Sequence, residues 1–210
     1  MIVEPETVRA ELEHACRDAR LAASTFVVWI VDRPRPDGAT PVAYLQPGGC
    51  VTRDTVQVFR AVGAERAGEF AGAAHRLALW RELPGLPAAA LGPMLRHELA
   101  HAARWERSGA AFYEADERLR QRVDGHGYAA LPTEREANAA AASYARATAG
   151  VAELAAVPEL ADLLRAAPPD DVVGETLALL GEGVALEPGR LRPRDGGLVV
   201  ALVPPAAGTL

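Results

Sequence analysis

His97, Glu98 and His101 stand at positions i, i+1 and i+4 of the stretch Arg96-His97-Glu98-Leu99-Ala100-His101-Ala102. On a helix, residues four apart differ by about 40° around the axis, so both imidazoles can reach one metal ion, and Glu98 lies close enough in angle to hold a water there. That arrangement on a helix would supply two ligands and the base that a zinc hydrolase needs. The chain has only 5 His in 210 residues, which sets the pattern against the bland alternative of a solvated helix face carrying two histidines.

A catalytic zinc takes three protein ligands and keeps one position open for water, so His97 and His101 need a partner. One class of such enzymes supplies a third His six residues further on through a glycine turn, but residues 102–107 contain neither. A Glu from a later helix is the other route, and Pro132-Thr133-Glu134-Arg135-Glu136-Ala137-Asn138 opens such a helix. Glu134, Asn138, Ala141 and Ala145 share one face, a small-residue stripe that would let the helix approach the motif helix closely. Glu136 sits about 200° away and forms a capping box with Thr133. Glu134 is therefore the expected ligand, Glu136 a structural residue, and Asn138 a group that orients a ligand by hydrogen bonding.

With those ligands, zinc would lower its water's pKa toward neutrality, and Glu98 would accept the proton as the water attacks a carbonyl. A donor to the developing oxyanion is needed as well. Tyr128 and His126 in the glycine-rich loop, or Tyr144 on the ligand helix, are the candidates.

HExxH followed by ExxxN on a later helix is similar to the gluzincin metallopeptidases, and Glu134-Arg135-Glu136-Ala137-Asn138 looks most like the ImmA/IrrE group of bacterial cytoplasmic proteases. The resemblance covers about residues 90–146. It implies an α+β, zincin-like fold with a sheet packed on the active-site helix, and a single Zn2+ held by His97, His101 and Glu134. Peptide deformylases resemble the chain in a different respect, since they take a Cys ligand upstream of HExxH, and Cys50 follows Gln46-Pro47-Gly48-Gly49 here. Their glycine-rich signature is missing, and Ala100 replaces their acidic residue, so this is a minor alternative. A zincin-like domain that binds zinc for structure or sensing, without turnover, is the competing class.

The elements that must position these residues can be read more coarsely. Residues 5–22 form an amphipathic helix, and residues 25–31, 41–45 and 55–62 are β-rich runs separated by Pro-Asp-Gly and Pro-Gly-Gly turns, giving a small, mostly antiparallel sheet. Residues 66–82 are helical in composition. The motif helix begins near 87–93 and stops at Ser108-Gly109, a helix over 113–123 leads into a loop at 124–128, and the ligand helix runs to about 149. Residues 1–150 then make the metallopeptidase domain. Residues 151–210 add short helices, a strand at 198–203 and a tail, packed on the same domain.

Composition narrows the partners. A net charge of −6 argues against a nucleic-acid surface. All 22 basic residues are Arg, which with the abundant Ala, Gly and Pro resembles the codon bias of a GC-rich bacterial genome, so Arg enrichment is no sign of phosphate binding. Two cysteines, Cys16 and Cys50, make no disulfide framework and read as small core residues. The first 20 residues lack the apolar core of a secretory signal, and the longest apolar run is too short to span a bilayer. The expectation is a cytoplasmic enzyme acting on a peptide or protein, with no membrane partner.

Overall fold

The computed structural model describes residues 1–23, 26–31, 43–47, 75–123, 127–148 and 151–182. Helix α1 (Pro5–Ala19) opens with Pro at its first position, where a missing N–H costs no helical bond, and turns Val8, Leu12, Ala15 and Cys16 into the core. It stops short of the expected boundary because Arg20 adopts a left-handed conformation (φ 58°, ψ 37°). The N–H groups of Arg20 and Leu21 then bond back to Arg17 and Cys16, closing the last turn.

Strands β1 (Phe26–Val31), β2 (Ala43–Pro47) and β3 (His75–Trp80) form a sheet of order β1-β3-β2. β1 runs parallel to β3 and β2 antiparallel to it, with Leu45 opposite Leu77. The sheet is therefore mixed rather than mostly antiparallel: the long segment between β1 and β3 leaves room for the crossover that parallel neighbours require. β3 also corrects the helix expected over 66–82. All six of its residues are buried, so no two-residue alternation marks them, and Leu, Ala and Arg favour helix in isolation. A central strand enclosed on both faces reads this way, and packing overrides local propensity. The remainder of that helix at 66–74, the run at 55–62 and both turns lie outside the described residues.

Helix α2 (Leu91–Arg120) carries the HExxH motif and packs against β2 and α1. The expected stop is present as a local break, with Gly109 at φ 74° and ψ −179°, a conformation that favours glycine. The chain resumes its helix at once, and Trp105 and Tyr113 meet edge to face across the break with centroids 5.1 Å apart. After a short turn at Tyr128–Ala130 comes α3 (Pro132–Ala147), followed by α4 (Val151–Ala155), α5 (Pro158–Leu163) and α6 (Val172–Glu182).

Helix α3 lies along α2, and its Ala137, Ala141, Ala142 and Ala145 are all buried. Where α3 meets the start of α2, a Cβ at Gly92 would collide with the Tyr144 ring. Leu154 and Leu160 of α4 and α5 join the same core as the sheet, and Arg135 binds Glu175 of α6 at 2.7 Å. The whole is an α+β arrangement dominated by helix. Residues 183–210, with the expected strand at 198–203, lie outside the described residues. Among those described, no helix is long and apolar enough to cross a membrane.

Candidate metal centre

The first half of α2 is anchored by Met94, Leu95, Leu99 and Ala102, all fully buried. One stripe of the same helix carries His97, His101 and Arg104 toward α3, as the 3.6-residue period requires. His97 and Glu98 are 3% and 2% exposed. Glu134 stands in the first turn of α3 and is 3% exposed; the positive end of the helix dipole favours an anion there.

These elements bring three donor groups together. The two imidazole Nε2 atoms are 3.4 Å apart. Glu134 Oε2 is 3.4 Å from His97 Nε2, and Glu134 Oε1 is 3.3 Å from His101 Nε2. Zinc bonds to N and O of about 2.0–2.1 Å at the tetrahedral angle require ligand atoms about 3.3–3.4 Å from one another. Each of the three contacts thus matches a ligand–ligand separation around one zinc ion, with the two distances from Glu134 running from different oxygens, and His-His-Glu is a donor set that a zinc ion can use. His97 Nδ1 lies 3.0 Å from Asn138 Oδ1. An N–H donated to that oxygen leaves the Nε2 lone pair for a metal. Burial pushes the His97 pKa down, which keeps the ring neutral as a ligand must be.

Glu98 stands beside this cluster. Its Oε1 is buried without a hydrogen-bond partner among the described residues, although the Leu45 backbone N–H of β2 bonds the carboxyl. Burial, then the nearby Glu134 charge, raises the Glu98 pKa well above the usual carboxylate range. Glu134 is shifted the other way. Burial alone would raise its pKa, but Arg120 and then His101 outweigh that and hold it well below the ordinary value. The two neighbouring carboxyls are pushed apart, as in sites where one must stay anionic and the other exchange a proton.

Arg120 comes from the end of α2, beyond the break at Gly109. Its Nε donates to Asp116 Oδ2 at 2.7 Å, its Nη2 to Thr133 Oγ1 at 3.0 Å and its Nη1 to Glu134 Oε1 at 2.7 Å. The same Nη1 donates to the Tyr128 hydroxyl. Thr133 in turn donates to Asp116 Oδ1 at 2.8 Å. Burial foremost raises the Tyr128 pKa well above 10.0, so the phenol keeps its proton.

The structure places the residues singled out from sequence as follows. His97, His101, Glu134 and Asn138 meet in one cluster with Glu98 against it, and Tyr128 joins through Arg120. Glu136 faces elsewhere, but not as a cap: no side chain caps α3, and Thr133 is engaged with Asp116 and Arg120. Glu136 instead receives Arg104 Nε at 2.9 Å and Arg107 Nη2 at 3.0 Å from α2. Tyr144 is not brought to the cluster; its hydroxyl donates to Glu11 Oε1 of α1 at 3.0 Å, and Arg96 stacks on its ring. His126 and Cys50 lie outside the described residues.

Arg120 and Asp116 were not singled out from sequence, and Thr133 was read only as half of a capping box. The i, i+4 spacing of Asp116 and Arg120 was visible, but in a chain whose 22 basic residues are all Arg nothing separated Arg120 from the rest. Compared with protein-family models, curated proteins and solved structures, the chain matches none.

Proposed function

We propose that the chain is a zinc metallopeptidase of gluzincin type on a zincin-like fold, with one zinc ion held by His97, His101 and Glu134 and with Glu98 as general base. The observation that supports this best is the juxtaposition of three donor groups at zinc-ligand spacing with the unpartnered Glu98 Oε1. When bound, the ion would act as a Lewis acid and bring its water's pKa near neutrality. Glu98 Oε1 would take the proton from the attacking water and hand it to the leaving amide nitrogen, so one carboxyl serves both steps. The Tyr128 oxygen accepts from Arg120, which leaves its own hydrogen free to donate to a carbonyl oxygen as charge develops.

A peptide substrate suits the surroundings. β2 ends the sheet order among the described residues, and its Leu45 amide touches Glu98. An extended chain hydrogen-bonding along that strand edge would lie beside the base. A zinc-binding sensor domain without turnover is the second reading, favoured only by the burial of the cluster; the intact Glu98 speaks for hydrolysis, since a structural zinc needs no base.

The deciding experiment measures zinc content and cleavage of a fluorogenic peptide library for wild type and Glu98→Gln. Zinc should be retained and the cleavage rate should fall about 10²- to 10⁴-fold, the usual contribution of a general base. A Glu98→Gln protein as active as wild type overturns the mechanism. A wild type that binds zinc and cleaves nothing favours the sensor reading.

A further inference from the structure

The Arg120 guanidinium is the cationic centre of the network behind Glu134, and its side chain is 17% exposed. Its donors are committed to Asp116, Thr133, Tyr128 and Glu134, which leaves little capacity for a substrate. A guanidinium is planar with donors in a fixed fork, so partners on both edges fix its plane and hence that of any carboxylate it holds. Asp116 and Thr133, which also bond each other, set the fork from behind. Glu134 Oε1 receives Nη1 at 2.7 Å and lies 3.3 Å from His101 Nε2, while Oε2 lies 3.4 Å from His97 Nε2.

We propose that Arg120 is the positioning residue of the metal centre: by holding Glu134 through Oε1 it fixes the carboxylate across the two imidazoles and so sets the affinity of the site for a metal ion. The inference rests on the metal-site half of the function proposed above and is independent of turnover. Asp116, 4% exposed on its side chain, offsets the guanidinium charge, so the pair meets Glu134 as a dipole instead of a net positive charge that would repel a dication. The break at Gly109 lies between the HExxH half of α2 and the half that carries Arg120 to the start of α3. Metal motif and clamp thus occupy separate stretches of a single chain element.

The test uses the full chain with zinc and with cobalt(II) as a spectroscopic stand-in. Partners that orient metal ligands typically change metal affinity about 10- to 100-fold when altered, so Arg120→Lys should weaken zinc binding by that factor in a chelator competition. Its cobalt absorption should also differ from wild type as the freed carboxylate changes its orientation at the ion. In a Glu134→Gln background the same Arg120→Lys change should cost no further affinity, because its effect passes through Glu134. Asp116→Asn, which keeps size and loosens the fork, should shift affinity and spectrum in the same direction and serves if Arg120→Lys does not fold. A folded variant with wild-type zinc affinity and cobalt spectrum overturns the inference. So does an equal loss in the wild-type and Glu134→Gln backgrounds, which would mark general destabilisation. A wild type that binds neither metal overturns the metal site itself, an outcome distinct from failure of the Arg120 role.

Discussion

Glu134 and Glu136 lie two residues apart on one helix, and replacing each by Ala should separate metal binding from stability. Glu136 accepts from both Nε and Nη2 of Arg104, with side chains 19% and 20% exposed, and also from Arg107, which is 56% exposed. Sheltered charge-assisted hydrogen bonds contribute about 1.5–3 kcal/mol. Discounting for partial exposure, and counting the Arg107 contact as nearly nothing, leaves about 1–2 kcal/mol. For a domain of this size that lowers Tm by about 2–8 °C, with zinc content unchanged. Glu134→Ala removes the proposed third ligand, so its expected signature is a lost response to zinc. In wild type, zinc at a hundredfold excess over its Kd adds about 2.7 kcal/mol, a Tm rise of about 5–11 °C, and this rise should vanish in Glu134→Ala. Differential scanning calorimetry with and without zinc, alongside metal analysis of dialysed protein, reads both effects. Zinc lost in Glu136→Ala and kept in Glu134→Ala would refute the ligand assignment and the phase argument behind it.

Two more expectations follow from buried partners. Asn138→Ala removes the acceptor for His97 Nδ1 and should weaken zinc binding about 10- to 100-fold, measured by chelator competition; an unchanged affinity means the contact orients nothing. His75 is fully buried with Nε2 3.0 Å from Glu106 Oε1, and burial, outweighing Glu106, lowers its pKa below 6.5. The folded state then refuses a proton that the unfolded chain accepts. The stability contribution is complete above pH 6.5 and is lost as pH falls toward the depressed folded value, by up to about 1.4 kcal/mol per unit. Urea unfolding of metal-free wild type and His75→Gln between pH 5 and 7 should show a shallower acid slope for the variant, and parallel slopes would refute the assignment.

The legible parts of this protein are those where neighbours in sequence are neighbours in space. The amphipathic stripe of α1, the break at Ser108-Gly109 and the start of α3 at Pro132 each follow from local rules of helix period and termination. Glu134 was selected over Glu136 by helix phase, and the structure places it with the histidines. Glu136 does leave the cluster, but it is occupied by Arg104 and Arg107 rather than by a capping box, because α2 presents two guanidiniums at that height. β3 was read as helix because a strand buried on both sides shows no alternation, and only its flanking strands reveal what it is. Tyr144, one of three candidates for the oxyanion donor, stands on a face of α3 that points to Arg96 and Glu11 instead.

The sequence by itself determined the candidate half-site. Two imidazoles four residues apart with a carboxylate after the first is a statement about one helix, and helix geometry is fixed by the backbone. What the tertiary structure decided is everything that depends on how two helices and a strand meet: which Glu completes the cluster at 3.3–3.4 Å, which amide of β2 reaches Glu98, and that Arg120, from the far side of the Gly109 break, holds Glu134 in place. Those contacts join residues whose spacing along the chain carries no period, so their meeting is set by packing of the small-residue face of α3 on α2.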